Sequence, residues 1–155
     1  MLVPIILGSK SDLEFANKIA AKLKEFGVYY VIRIASAHKA PELLLGLLKK
    51  YDAQEDLVYI TVAGRSNALS GFVSANSVKP VIACPPLDKQ SYPVDIHSSL
   101  RMPSNAPCMT VIDPKNAALA AIKILANNNE ELLKKVSDNI TQVKTGIEAD
   151  DKDLQ

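Results

Sequence analysis

Short apolar runs alternate with longer amphipathic segments along the whole chain. The runs are rich in Val, Ile and Leu and lack regular apolar–polar alternation, a pattern typical of strands buried on both faces of a parallel sheet. Five strands are predicted, at 2–7, 28–35, 57–63, 80–84 and 108–112. Helices are predicted between them, at about 11–26, 41–51, 67–77 and 94–101. This order indicates an α/β domain with helices covering a parallel sheet.

The ends of the helices carry their own signals. In the first helix, apolar residues recur at three- and four-residue spacing, and Gly27 follows as a stop. Pro41 and Pro114 stand where a first helical residue belongs, and Asp113 can cap the helix that begins at Pro114. The alternation of strands and helices therefore has defined boundaries at several points.

The length of 155 residues and the hydrophobic content of 48% predict a single domain, 1–155. We expect its core to span 1–126 and a C-terminal helix to follow at about 130–148. That helix has an apolar stripe and a charged opposite face, so it needs a partner surface, on this domain or on another subunit. The tail, 149–155, is expected to be frayed.

Charge and composition argue against several classes of function. The formal net charge is +1 and no basic block is present, so a nucleic-acid partner is not expected. The opening MLVPIILGSKSD has no basic leader, and no apolar run is long enough to cross a membrane, so we expect a cytoplasmic protein. Cys84 and Cys108 lie in apolar runs, which favours buried, unreactive thiols in a reducing compartment. No Cys or His falls in a close ligand pair, so no metal site is predicted.

Polar residues concentrate in the loops after the strands. Ligands of open parallel sheets bind beyond the carboxyl ends of the strands, so these loops are the candidate site. The first, GSKSD at 8–12, offers a glycine, two hydroxyls and the start of a helix, which suits a phosphate group. Read alone, the same residues are explained slightly better as an ordinary helix cap.

The second loop, SAHK at 36–39, places a histidine beside a lysine. Histidine side chains exchange protons near neutral pH, and lysine supplies a point charge for phosphate. Taken alone, a surface histidine and a solvated lysine are the commoner interpretation. The position of His38 and Lys39 on the same rim as the first loop favours catalysis and phosphate binding instead.

The third loop, AGRSNALSG at 63–71, has small residues that would let a planar ligand approach, with an amide and hydroxyls to fix its polar edge. A turn followed by a helix cap explains this loop about as well. After the fourth strand, PPLDKQSYP is a long loop that could cover a site. Neither a Walker A loop nor a GxGxxG fingerprint is present, so nucleoside triphosphate and dinucleotide cofactors are disfavoured.

Together with SSLRMP at 98–103, these loops resemble those of the aminoimidazole ribonucleotide (AIR) carboxylase family of purine biosynthesis, over about residues 3–126. The resemblance implies a three-layer α/β/α sandwich with a parallel, flavodoxin-like sheet and an extra C-terminal helix. It also implies a homo-octamer with active sites shared between subunits, and a lyase-type carboxylation at C4 of the ribonucleotide without a cofactor. The family's catalytic histidine carries over to His38. The candidate substrate-binding residues are Ser9, Asp12, Ser36, Lys39, Gly64, Arg65, Ser66 and Asn67.

The family has two branches, one taking carbon dioxide directly and one moving a carboxylate from the exocyclic nitrogen to carbon. Lys39, AGRSN, CPPL and SSLRMP resemble the direct branch, which includes the carboxylase domain of the animal bifunctional enzyme. His97 stands where that domain has tryptophan, so we expect a packing residue there, and ALSGFV also differs. The mutase, and a non-catalytic nucleotide-binding module of the same fold, stay open as alternatives. The expected partners are the ribonucleotide and carbon dioxide, without nucleic acid or membrane.

Overall fold

The computed structural model describes residues 1–86 and 91–154. Its centre is a five-stranded sheet in which every pairing is parallel and the strand order is β2-β1-β3-β4-β5. The strands are β1 Val3–Leu7, β2 Tyr30–Ile34, β3 Tyr59–Val62, β4 Val81–Ala83 and β5 Met109–Thr110. Each lies within one of the predicted runs and is shorter than it. The predicted α/β class and the flavodoxin-like strand order are therefore confirmed.

Six α-helices accompany the sheet in the described part of the chain. They are α1 Leu13–Glu25, α2 Pro41–Tyr51, α3 Ala68–Ala75, α4 Tyr92–Leu100, α5 Pro114–Ala126 and α6 Glu130–Lys152, with a 3₁₀ turn at Lys10–Asp12 ahead of α1. The predicted boundary signals are present: Gly27 has a positive φ of 73°, and the Asp113 carboxylate accepts the backbone N–H of Asn116 at 2.8 Å. Helix α1 thus ends, and α5 begins, where the local chemistry of the sequence indicates.

The sheet separates two apolar cores, so the domain has three layers. Along β1, Val3, Ile5 and Leu7 point into the core formed with α1, α5 and the start of α6. Ile6 points into the opposite core, formed with α2 and α3. Because both faces of β1 are buried, its sequence is a continuous apolar run. Burial on both faces accounts for the absence of alternation in β1, β3 and β4. The edge strands β2 and β5 are only partly buried, so the prediction of full burial is wrong for them.

Helix α6 docks on the domain only through its first turns. Leu132 and Val136 are buried in the α1–α5 core, whereas residues 137–152 of the helix contribute no buried side chain. The helix also runs to Lys152, beyond the predicted end at 148, so residues 149–152 are helical rather than frayed. No glycine or proline interrupts EADDK, and a lysine in the last turn is favourable to the helix dipole.

Among the described residues, no helix is long and apolar enough to cross a bilayer.

Both cysteines are free thiols. Cys84 is completely buried, and this burial, followed by the nearby charge of Asp113, raises the pKa of its thiol to about 12. Burial also raises the pKa of Cys108. The predicted burial is confirmed for Cys84, whereas Cys108 is only half-buried. Thiols with raised pKa values carry little thiolate at neutral pH.

Candidate functional site

The candidate site is a cleft where two neighbouring strands send their connections to opposite faces of the sheet. Strands β1 and β3 pair directly, but the chain leaves β1 into α1 on one face and leaves β3 into α3 on the other. The loops after the two strands therefore diverge and open a crevice at the carboxyl edge of the sheet. This is the position at which open α/β sheets bind ligands.

The cleft has a volume of about 750 Å³, which is in the range of small-molecule sites. The loops after β1, β2 and β3 form most of its wall. The start of α3, the segment that follows β4 and the first turn of α4 supply the rest. The structure brings together in this wall all but one of the candidate residues: Ser9, Asp12, Ser36, His38, Lys39, Gly64, Arg65 and Ser66. Residues from three separate stretches of the chain thus share one cavity.

The first loop combines a helix cap with accessible polar groups. The Ser9 hydroxyl oxygen accepts the backbone N–H of Ser11 at 3.3 Å and lies 3.0 Å from the Ser11 hydroxyl, so it caps the 3₁₀ turn. A Cβ at Gly8 would lie only 3.3 Å from the Cβ of Ala63, so glycine lets the first and third loops approach closely. The first loop therefore has both the helix cap and the accessible hydroxyl groups that the sequence predicts.

Asp12 is the charged group of the first loop. It is half-buried at the start of α1 and makes no capping hydrogen bond to the helix with its side chain. Burial raises the pKa of its carboxyl, an effect offset in part by hydrogen bonds from Ser11 and from the backbone near Ser9. The ionised carboxylate is therefore less well solvated than in water, and a hydrogen-bond donor in the cleft would stabilise it.

The second loop is a tight turn between β2 and α2. The Ser36 hydroxyl accepts the backbone N–H of Lys39 at 3.3 Å, and the Ser36 carbonyl accepts the N–H of Ala40 at 2.9 Å. His38 and Lys39 are exposed at this turn and line the cleft. The imidazole and the ammonium group are therefore both accessible to a bound molecule.

The third loop differs from the expectation at Asn67. This side chain is 4% exposed and does not line the cleft. Its amide oxygen accepts the N–H of Ser70 at 3.2 Å, and its amide nitrogen donates to the hydroxyls of Ser70 at 2.7 Å and Ser99 at 2.9 Å. Asn67 is thus a buried cap of α3, the alternative that the sequence left open. Gly64, Arg65 and Ser66 remain on the cleft side.

Three cleft residues lie outside the first three loops: Pro86 and Ser91, which belong to the predicted cover loop, and Asp95 on α4. The Ser91 hydroxyl donates to Oδ2 of Asp95 at 2.6 Å, which orders the first turn of α4 beside the cleft. A signal existed in the sequence, because α4 follows β4 and must begin at the same rim as the other loops. Residues 87–90 of the predicted cover loop lie outside the described residues.

The sequence predicts that His97 is a packing residue, but its side chain is exposed on α4 in this chain.

In residues 1–86 and 91–154, no group of three or more His, Cys, Asp or Glu side chains could hold a metal ion. The polar groups that the cleft offers are hydroxyls, two carboxylates, an imidazole and two cationic side chains. Such a set can bind an anionic, hydroxylated ligand and can move a proton. A flavodoxin-like sheet with this cleft defines a small α/β protein that binds a small molecule at the carboxyl edge of its strands.

Comparison with known proteins gives the family. The family model described as AIR carboxylase matches residues 2–145. The chain is 55% identical over 136 residues to the phosphoribosylaminoimidazole carboxylase of Archaeoglobus fulgidus, covering 88% of this chain and 75% of that one. It is 42% identical over 129 residues to the bifunctional phosphoribosylaminoimidazole carboxylase/phosphoribosylaminoimidazole succinocarboxamide synthetase of Drosophila melanogaster, covering 83% of this chain and 30% of that one.

A solved structure agrees with these sequence matches. The crystal structure of Treponema denticola PurE superimposes with a TM-score of 0.96 at 46% identity, covering 99% of this chain and 98% of that one. The chain therefore belongs to the AIR carboxylase family, enzymes of purine biosynthesis. The resemblance inferred from the four loop segments is confirmed.

Proposed function

We propose that this chain carboxylates 5-aminoimidazole ribonucleotide at C4 with carbon dioxide, giving the 4-carboxy ribonucleotide of de novo purine biosynthesis. The observation that carries the proposal is the convergence of His38, Lys39 and the hydroxyl-bearing first loop in one cleft. Membership of the AIR carboxylase family supplies the substrate class. The reaction proposed here uses no biotin, ATP or metal ion.

In the proposed reaction, the enamine-like ring attacks carbon dioxide through C4. A new carbon–carbon bond forms, and C4 becomes tetrahedral, carrying both its original proton and the carboxylate. His38 accepts that proton, and the electron pair of the C–H bond restores the aromatic ring. A positioned imidazole is suited to this step because it exchanges protons readily near neutral pH. The cleft contributes by holding the two reactants in a fixed orientation.

Two loops would hold the phosphate and ribose. Lys39 offers a positive charge, and the hydroxyls of Ser9 and Ser36 can donate to phosphate oxygens. The half-buried Asp12 carboxylate can accept from ribose hydroxyls, and these additional donors would offset the burial that raises its pKa. Gly64, Arg65 and Ser66 would contact the ring side of the substrate. In this arrangement the binding and proton-transfer groups are distinct.

A paired substrate assay tests the carbon source. The protein is incubated with aminoimidazole ribonucleotide and bicarbonate without ATP, and in parallel with the N-carboxylated ribonucleotide, while the 4-carboxylate is measured. We expect the product in the first mixture, with an initial rate that rises with bicarbonate. Product from the N-carboxylated substrate alone would make the chain a mutase. Product from neither would favour a non-catalytic nucleotide-binding module and would contradict the proposal.

We further infer that the enzyme works as a homo-octamer in the cytoplasm, with its sites completed by neighbouring subunits. The outward half of α6 supports an interface between subunits, because Ile140, Val143 and Ile147 are 41%, 54% and 63% exposed along one side of the helix. Apolar side chains repeated at this spacing are typical of a helix face that packs on another surface. Sedimentation of the purified protein measures the subunit number directly.

A further inference from the structure

Ser98 and Ser99 of helix α4 reach across to the loop after β3. The Ser98 hydroxyl lies 2.8 Å from the carbonyl oxygen of Arg65 and 2.7 Å from that of Asp95, and it accepts the backbone N–H of Asn67 at 2.9 Å. Because a hydroxyl has one proton, the two carbonyls share it. Ser98 thus joins the third loop to the helix that faces it.

Behind Ser98, a buried polar network anchors the same loop to the sheet. The amide nitrogen of Asn67 donates to the hydroxyls of Ser70 and Ser99, and the Ser70 hydroxyl lies 2.8 Å from that of Thr61 on β3. These four side chains are the buried polar residues of the described chain, at most 4% exposed, and all have hydrogen-bond partners. A fully satisfied buried network fixes one local arrangement.

The loop held in this way is in an unfavourable backbone conformation. Arg65 has a φ of 54°, in the left-handed region that side chains with a Cβ rarely adopt. Such a conformation persists when surrounding contacts determine it. Arg65 and Ser66 both line the cleft. Ser66 is flanked by two anchors, which are the hydrogen bond from Ser98 to the Arg65 carbonyl and the helix cap made by Asn67. The position of these two side chains therefore depends on contacts outside the cleft.

We propose that Ser98 is a positioning residue, whose hydroxyl sets the distance between the Arg65–Ser66 wall and the Asp95 wall of the substrate cleft. The inference rests on the proposed function for its substrate. Ser98 does not line the cleft and would touch neither reactant. The proposal gives the paired serines of SSLRMP a role in holding the cleft wall through Arg65 and Asn67.

Steady-state kinetics of three variants test the proposal. Ser98→Ala removes the shared bond, and Ser98→Thr keeps a hydroxyl. Ser74→Ala is the matched control: the Ser74 hydroxyl donates to the carbonyl of Pro107 at 2.6 Å, also across 33 residues, and Ser74 does not line the cleft. We expect Ser98→Ala to raise KM for the ribonucleotide about five- to tenfold, as loss of one hydrogen bond would. Its kcat should stay within about threefold, because His38 lies on another loop.

We expect Ser98→Thr to restore most of the lost affinity and Ser74→Ala to behave like the wild type. A Ser98→Ala enzyme with an unchanged KM would overturn the proposal, as would an equal rise in KM for Ser74→Ala. If the alanine variant does not fold, Ser98→Cys gives the same comparison, because a thiol of similar size bonds only weakly.

Amide hydrogen exchange supplies a readout that does not depend on turnover. The N–H of Asn67 donates to Ser98, so residues 63–68 should lose protection in Ser98→Ala and keep it in Ser74→Ala. Unchanged protection in Ser98→Ala would contradict the positioning role even if activity fell. An inactive wild-type protein would contradict the proposed function alone, and the exchange comparison would still decide the role of Ser98 in the cleft wall.

Discussion

The backbone N–H of Lys39 donates to the hydroxyl of Ser36 at 3.3 Å, closing the turn that carries His38. The turn leads directly into α2 at Pro41, so two side chains with different chemistry are presented side by side at the cleft. Under the proposed function, the imidazole moves a proton and the ammonium group binds phosphate. Substitutions at His38 and Lys39 should therefore separate catalysis from binding.

Replacing His38 by asparagine should abolish proton transfer while keeping a polar side chain of similar size. We expect kcat for carboxylation to fall by about 100-fold or more, the usual contribution of a general base, and ribonucleotide affinity to change by less than about threefold. Single-turnover kinetics and calorimetric titration measure the two quantities. His97→Asn is the control, because the second histidine is exposed and does not line the cleft. Full activity of His38→Asn would remove His38 from the reaction.

Replacing Lys39 by alanine should weaken binding more than turnover. A hydrogen bond between an ammonium group and a phosphate contributes about 1.5–3 kcal/mol, so KM should rise at least about tenfold. The wild-type KM should also increase with ionic strength, and this dependence should be smaller in the variant. Lys49→Ala, an exposed lysine at the far end of α2, is the control. Equal ribonucleotide affinity for wild type and Lys39→Ala would exclude Lys39 from the phosphate site.

Asp12 should show a trade between stability and binding. Its folded-state pKa is raised above the ordinary 3.8, mainly by burial, so the folded protein binds this proton more tightly than the unfolded chain. The stability that protonated Asp12 contributes is fully present below pH 3.8 and is lost as the pH rises through the pKa of Asp12 in the folded protein. At pH 7 the ionised carboxylate is therefore unfavourable in the free enzyme.

Asp12→Asn should accordingly raise or maintain Tm at pH 7, reduce the pH dependence of Tm above pH 4, and raise KM for the ribonucleotide. Thermal melts of both proteins between about pH 4 and pH 7, with kinetics at pH 7, measure these effects. Glu14→Gln, an exposed residue in the first turn of α1, serves as the control. A clear drop in Tm for Asp12→Asn at pH 7 would show that the carboxylate stabilises the fold.

The sequence predicted the sheet and the location of the site because both depend on local patterns. Continuous apolar runs such as VPIIL mark strands buried on both faces, and the loops that follow parallel strands necessarily share one edge. What a local pattern does not contain is the direction of a side chain. Asn67 has the same sequence neighbours whether its amide faces a ligand or caps α3, and only the contact with Ser99, 32 residues away, decides between them.

Asp95 and Ser98 were missed for a related reason. Their roles depend on α4 packing against the third loop, a contact between segments about 30 residues apart that no spacing rule describes. The end of α6 was predicted too early because a polar sequence was taken as frayed, although EADDK contains no residue that stops a helix. Long-range contacts and helix ends are thus the features that required coordinates.

A polar cluster on the other side of the domain predicts how stability responds to alkali. The Tyr59 hydroxyl donates to Oδ1 of Asp52 at 2.6 Å, and the Ser77 hydroxyl donates to the same oxygen at 2.9 Å. Burial, followed by the neighbouring carboxylate, raises the pKa of Tyr59 well above its ordinary value of 10. Since the folded-state pKa is raised, the stability that Tyr59 contributes is present below pH 10 and declines as pH rises above it.

Tyr59→Phe should therefore lower the free energy of unfolding by about 1–3 kcal/mol at pH 7, because Asp52 loses one donor but keeps Ser77. Above pH 10, the variant should lose less stability per pH unit than the wild type. Urea unfolding at pH 7 and at about pH 10.5 provides both values. Tyr29→Phe is the control, since Tyr29 is 69% exposed. The same alkaline slope in wild type and Tyr59→Phe would contradict the assignment.

The outward half of α6 should control assembly without controlling the fold of the subunit. Ile147 is 63% exposed and lies beyond Leu132 and Val136, the two buried side chains that dock the helix on the domain. A glutamate at 147 therefore disturbs no core packing, but it would place a charge in any interface formed by the apolar stripe. Thr145→Glu, an exposed position on the same helix, is the control.

We expect Ile147→Glu to sediment as smaller species than the wild type, with unchanged far-ultraviolet circular dichroism, and Thr145→Glu to assemble normally. Since the proposed sites are completed by neighbouring subunits, the specific activity of Ile147→Glu should fall with the loss of the assembled fraction. Raising the protein concentration should recover both assembly and activity together. If assembly is recovered without activity, the interface formed by α6 does not complete the active site. If the wild type is a monomer with full activity, each cleft is complete within one chain.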